Sequence, residues 1–130
     1  MNDKAFTVYL VDDDAGVLNA LSRLLRVKGY SVQAFNSPLE FLAKYDAIAP
    51  ACVILDVTMP GIGGLGLQQH LAQSGVSVPI IFLSGRNDIP TNVRALKDGA
   101  ADFLTKPVDA SKLLPAVRAA LQKSAGDLRS

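Results

Sequence analysis

Two stretches of this chain, Val53-Ile54-Leu55 and Ile80-Ile81-Phe82-Leu83, are apolar at every position. A strand with one wet face alternates apolar and polar residues, so an unbroken run demands cover on both sides. A parallel sheet between two layers of helices supplies that cover. The runs belong to candidate strands Ala51–Leu55 and Pro79–Leu83, and three more have strand length and composition: Phe6–Val11, Ser31–Phe35 and Ala101–Leu104. Ser31–Phe35 alternates, which suits an edge.

Helical patterns fill the intervals. Val17, Leu18, Leu21, Leu24 and Leu25 form one apolar stripe behind Asp14 as N-cap, and Gly29, Gly75 and Gly99 stand where helices stop. Asp88 before Ile89-Pro90 opens a fourth helix. The last helix carries Leu113, Leu114, Val117 and Leu121 on one face, with Pro115 predicting a distorted first turn or a late start. Strict alternation of strand and helix predicts right-handed crossovers and an open, doubly wound α/β sheet of five parallel strands with helices on both faces.

At 130 residues the chain has the length of one domain, expected over 1–123, with the small and polar 124–130 as a tail or the start of a linker. An apolar fraction of 49% with 19% charged residues excludes disorder, and a net charge of +1 leaves no electrostatic footprint for nucleic acid or an anionic membrane. A lone cysteine, Cys52, excludes an internal disulfide framework. No apolar run approaches the roughly 18 residues of a membrane span, and the first residues lack a signal-peptide core. A cytoplasmic domain is expected.

The residues just past each strand carry the chemistry. The first strand ends in Asp12-Asp13-Asp14, the third in Asp56, the fourth in Ser84, and the fifth in Thr105-Lys106-Pro107. Open α/β sheets bind ligands outside the carboxyl ends of their strands, where strand order reverses. With the first and third strands adjacent, Asp12, Asp13 and Asp56 share one crevice flanked by Ser84 and Lys106. Carboxylates that close either share protons or recruit a cation, and an all-oxygen site suits Mg²⁺ or Mn²⁺ better than zinc. A divalent ion beside a hydroxyl and an ammonium makes a phosphoryl clamp. Asp56, alone at the end of a central strand, is the best-placed nucleophile for an aspartyl phosphate. Each piece alone has an ordinary explanation: aspartates before a helix are cap and turn residues, and a lysine before proline is solvated. The set at four strand ends is what points to chemistry.

On these residues the chain resembles the receiver domains of two-component response regulators. The likeness spans residues 6 to about 122 and rests on Val11-Asp12-Asp13-Asp14, Val53-Ile54-Leu55-Asp56-Val57-Thr58-Met59-Pro60-Gly61, Phe82-Leu83-Ser84-Gly85 and Asp102-Phe103-Leu104-Thr105-Lys106-Pro107. The resemblance implies a flavodoxin-like (βα)5 fold with strand order 2-1-3-4-5. It implies that Asp56 is the phosphoacceptor and that Asp12, Asp13, Asp56 and the Thr58 backbone carbonyl hold Mg²⁺, with Mn²⁺ as the alternative. Ser84 is then the switch hydroxyl, Phe103 its aromatic partner, and Lys106 the phosphate-binding cation, with a cis peptide between Lys106 and Pro107. A sensor histidine kinase is the implied phosphodonor. The implied output face is the fourth helix, fifth strand and fifth helix, through which a homodimer can form. Transcription control is the implied output, the domain itself touching neither nucleic acid nor membrane. The stretches 84–88 and 97–103 look most like receivers joined to LuxR-type helix-turn-helix domains. Gly63 and Gly66 stand where this family often carries polar or acidic residues, which predicts a flexible loop after Asp56.

Two alternatives stay open on sequence. Asp12-x-Asp14 with Ser84 and Lys106 is compatible with a haloacid-dehalogenase-type phosphatase using Asp12, although Gly16 stands where that motif wants Thr or Val. Gly61-Ile62-Gly63-Gly64-Leu65-Gly66 formally satisfies the dinucleotide-binding G-x-G-x-x-G pattern, but it does not follow its strand directly.

Overall fold

The fold was obtained as a computed structural model, which describes residues 6–45, 50–59, 61–85 and 99–129, the side chains of 127–129 excepted. Its strands are β1 (Thr7–Val11), β2 (Ser31–Phe35), β3 (Ala51–Asp56), β4 (Ile80–Ser84) and β5 (Asp102–Thr105). All pairs are parallel and the order is β2-β1-β3-β4-β5. The two unbroken apolar runs lie in β3 and β4, where every residue is buried, and the alternating run is the edge strand β2.

Side chains leave each strand alternately to the two faces. Tyr9, Val11, Val53, Leu55 and Phe82 meet Phe41 of α2 (Pro38–Lys44) and Leu67 and Leu71 of α3 (Gly63–Gln73). Val8, Leu10, Ile54, Ile81 and Leu83 meet Leu21 and Leu25 of α1 (Ala15–Val27) and Leu113, Val117 and Leu121 of the C-terminal helix (Ala110–Arg129). On the α2 side, Tyr9, Phe35, Phe41 and Tyr45 pack ring against ring, with edge-on centroid distances of 5.4 Å for Tyr9–Phe41 and 5.9 Å for Phe35–Phe41.

The helix ends follow local chemistry. Asp14 caps α1, its carboxylate accepting from the Gly16 and Val17 amides at 2.8 and 3.3 Å. Gly29 ends the turn after α1 at φ 95°, a left-handed conformation that other residues resist. The helix expected from Asp88 lies outside the described residues.

The C-terminal helix differs from expectation in two ways. It begins at Ala110, capped by the Asp109 carboxylate on the Ser111 amide at 2.9 Å, and continues through Pro115 without a late start. Pro115 is exposed, and the carbonyl it deprives of a donor belongs to exposed Ser111, where solvent is within reach. Buried Leu113, Val117 and Leu121 meanwhile hold the helix to the sheet. The helix also continues through the residues read as a tail, as far as Arg129. Ser124 is buried there and its Oγ accepts a hydrogen bond from the Ala51 amide at 3.0 Å, at the start of β3.

Replacing Ser124 by Ala leaves that buried amide without its acceptor. A loss of about 1–3 kcal/mol is expected in the urea unfolding free energy. A loss near zero would show that the helix end contributes nothing to the fold.

Candidate functional site

The parallel register brings the strand ends to one level. Asp56 is the last residue of β3 and pairs with Leu83, one residue before Ser84 closes β4, and Ser84 pairs with Thr105 at the end of β5. Asp12 leaves β1 with its amide donating to the Phe35 carbonyl at 3.1 Å, and the Lys106 amide donates to the Ser84 carbonyl at 2.8 Å. Backbone bonds thus aim each polar side chain into one crevice.

Carboxylate oxygens of Asp12, Asp13 and Asp56 lie within 4.8 Å of one another. Asp12 and Asp56 are buried and Asp13 is exposed. The Lys106 ammonium stands 2.9 Å from Asp12 Oδ2 and 3.5 Å from Asp56 Oδ2, bridging the two buried acids. Asp12 Oδ1 accepts from the Asp14 amide at 2.9 Å, and Asp56 Oδ1 from the Thr58 amide at 3.2 Å. Ser84 is fully buried, and its Oγ has no hydrogen-bond partner among the described residues. A buried hydroxyl left so costs free energy unless something completes it.

Charge sets the protonation of the cluster. Burial, and then the neighbouring Asp12 charge, push the Asp56 carboxyl from 3.8 up to about 6, against the Thr58 N–H and Lys106, which pull it down. Burial works against the Lys106 ammonium, but its contacts with Asp12 and then Asp56 outweigh that and hold its pKa above the usual value. One ammonium facing three carboxylates leaves the crevice net negative. Three oxygen donors with one exposed member, and no sulfur or imidazole among them, fit a hard divalent cation that keeps part of its water.

The remaining expected residues are less central. Thr58 is exposed, and its backbone joins the site through its amide. Phe103 is half-buried, pairs with Phe82 across the β4–β5 ladder, and packs on the α3-side core. The Lys106–Pro107 peptide is cis. Gly63 and Gly66 lie in the first turn of α3. Sequence reading missed Gly64, which is buried against the Asp56 and Val57 backbone. The contact joins residues eight apart through the main chain, and no local pattern in the sequence signals it.

Residues 8–118 match the family model described as "Response regulator receiver domain". The chain belongs to the response-regulator receiver family. It is 49% identical over 122 residues to response regulator protein TodT of Pseudomonas putida, covering 94% of this chain and 54% of TodT. With transcriptional regulatory protein TdiR of Thauera aromatica it shares 44% over 117 residues, covering 90% of this chain and 52% of TdiR. The solved structure of response regulator StyR superposes with a TM-score of 0.90 at 39% identity, covering 95% of this chain and 63% of that one. The chain therefore spans about half the length of the curated relatives it matches. A receiver is a regulatory module and not an enzyme, so the phosphatase and dinucleotide alternatives fall. Among the described residues no helix is long and apolar enough to cross a membrane.

The raised Asp56 pKa has a testable sign. The folded receiver holds a proton on Asp56 up to about pH 6, whereas the unfolded chain releases it near pH 4. Its contribution to stability therefore falls as pH rises between those values, and the full penalty persists above them. Asp56→Asn removes the charge. In EDTA it should stabilise the fold at pH 7.5 by on the order of 1–3 kcal/mol and change little at pH 4. Equal effects of Asp56→Asn at both pH values in chemical denaturation would contradict a burial-driven shift.

Proposed function

We propose that this chain is the phosphoacceptor switch of a two-component regulator and that Asp56 is the residue phosphorylated. The observation that carries the reading is the pairing of two incomplete groups. A buried carboxylate ends the central strand, and beside it a buried Ser84 hydroxyl has no partner among the described residues. A phosphoryl group on Asp56 brings acceptor oxygens within the reach of such a hydroxyl.

In the transfer, an Asp56 oxygen attacks phosphorus and a new O–P bond forms. The bond from phosphorus to the donor breaks, and the leaving group departs with its electron pair. The donor is a phosphohistidine of a sensor histidine kinase, or a small acyl phosphate that leaves as its carboxylate. Mg²⁺ or Mn²⁺, held by Asp12, Asp13, Asp56 and the Thr58 carbonyl, would neutralise charge on the phosphoryl oxygens. Asp56 must be ionised to attack, and Lys106, 3.5 Å from its oxygen, favours the ionised form against burial and the Asp12 charge. After transfer, Lys106 exchanges a carboxylate partner for a phosphoryl oxygen, Ser84 donates to another, and Phe103 follows from the neighbouring strand.

The added charge of about −1.5 to −2 favours one arrangement of the loops after β4 and β5. We assign the output to the surface of the fourth helix, β5 and the C-terminal helix, with homodimerisation through that face. The fourth helix lies outside the described residues. We assign the whole protein to a cytoplasmic regulator whose separate output domain binds DNA while this unit does not; relatives about twice as long, one named a transcriptional regulatory protein, support the transcription output. The buried Ser124 supports a receiver unit that runs beyond residue 123 to the end of the C-terminal helix, ahead of any linker.

Incubation with acetyl phosphate and Mg²⁺, followed by intact mass spectrometry, tests the assignment. One phosphoryl adduct is expected in the wild type, none in Asp56→Asn, and none in EDTA. An adduct that survives in Asp56→Asn, or its absence from the wild type, would overturn the reading.

A further inference from the structure

We propose that Gly64 is a positioning residue for the phosphoacceptor loop. Its missing side chain lets the first turn of α3 seat directly on the Asp56–Val57 backbone, and this seat sets where the Asp56 carboxylate and the Thr58 carbonyl stand. The inference rests on the phosphoacceptor reading and adds to it a residue that touches neither metal nor phosphate.

Space, and not backbone conformation, demands glycine here. Gly64 does not share the positive φ of Gly61 (86°) and Gly63 (71°). A Cβ built on it would overlap the Asp56 carbonyl oxygen and lie 2.9 Å from Val57 Cα and 3.1 Å from the Asp56 carbonyl carbon. All three are main-chain atoms, so no rotamer change relieves the contact. At Gly66 a Cβ would meet only the Ile62 side chain, at 3.1 Å, and Ile62 is 48% exposed. That neighbour can yield.

The atoms under Gly64 are those that aim the site. The Val57 amide donates to the Leu83 carbonyl at 3.0 Å and fixes the end of β3 to β4. The Gly64 amide donates to the Val57 carbonyl at 3.0 Å, so the loop leaves and returns to one residue. Between those points Val57 and Met59 are buried, while exposed Thr58 gives its amide to Asp56 Oδ1 at 3.2 Å. The loop is thus closed at its neck by a bond that only a side-chain-free residue can make at this distance. A methyl group at position 64 would force helix and strand end apart by about 1 Å to reach ordinary contact. Displacements of that size in a reacting group cost about 10²-fold in rate.

The test compares Gly64→Ala with Val117→Ala, a cavity variant in the core on the other face of the sheet. Both are measured in trimethylamine N-oxide to keep them folded, with Tm recorded for each. Mg²⁺ affinity by calorimetry and the rate of phosphorylation by acetyl phosphate are the readouts. Gly64→Ala should lose about 10²-fold in the phosphorylation rate, with Mg²⁺ binding weakened as well, while Val117→Ala loses Tm alone. Gly64→Ala matching the wild type in both readouts, or Val117→Ala losing as much, would overturn the proposal. A wild type that takes no phosphoryl group sinks the phosphoacceptor reading instead, and the Mg²⁺ arm still decides the role of Gly64. Should Gly64→Ala not fold, amide hydrogen exchange on the wild type decides. Saturating Mg²⁺ should slow exchange at the Gly64 amide and leave the Gly75 amide unchanged, because a seat coupled to the metal loop is tightened by the metal. An unchanged Gly64 rate would overturn it.

Discussion

Parallel pairing of β1, β3 and β4 between two apolar layers is the constraint on which the rest of the molecule depends. Strands covered on both faces bring no polar side chain into their length, so polar residues are confined to the strand ends. The register then decides which ends meet. Val11 pairs with Leu55, so Asp12 and Asp56 emerge side by side; Asp56 pairs with Leu83, so Ser84 emerges next to them. A slip of one residue in any pair would carry one of these polar side chains out of line with the others. The same burial that holds the sheet together therefore aligns the site.

That alignment has an electrostatic cost which the fold does not cancel. Lys106 bridges Asp12 and Asp56, but burial and then the Asp12 charge outweigh it and push the Asp56 carboxyl up to about 6. A site built for stability would replace such a cluster with apolar residues. Its persistence is intelligible if the missing charge arrives from outside, first as a cation on the acids and then as a phosphoryl group that draws Lys106 and Ser84. The unpartnered Ser84 hydroxyl is the same incompleteness expressed in hydrogen bonds.

Most of this was legible in the sequence because it is written in local patterns. Unbroken apolar runs identified β3 and β4, alternation identified the edge β2, and the polar residue after each run identified the rim. Three features were not legible, each for a physical reason. Pro115 reads as a helix breaker, but the helix holds because its proline faces water while Leu113 and Val117 on either side of it are buried. Ser124 reads as tail, since the Ala51 amide that binds it lies 73 residues away in the chain. Gly64 reads as one of several glycines in a loose loop, because steric exclusion by a main chain eight residues earlier leaves no trace in composition.

Two of the misses share a cause. Pattern reading assigns a residue its role from neighbours in sequence, whereas Ser124 and Gly64 act through contacts between separate elements. Ser124 ties the C-terminal helix to the start of β3, and Gly64 ties α3 to its end. The central strand is thus gripped at both ends by helices lying on opposite faces, while Ser84 ends the neighbouring β4 and Lys106 follows β5, the two joined by the Lys106 amide on the Ser84 carbonyl. On the phosphoacceptor reading proposed above, a strand fixed at both ends holds Asp56 still, and the groups left to answer an added charge are the unpartnered Ser84 hydroxyl and the Lys106 ammonium that already face it.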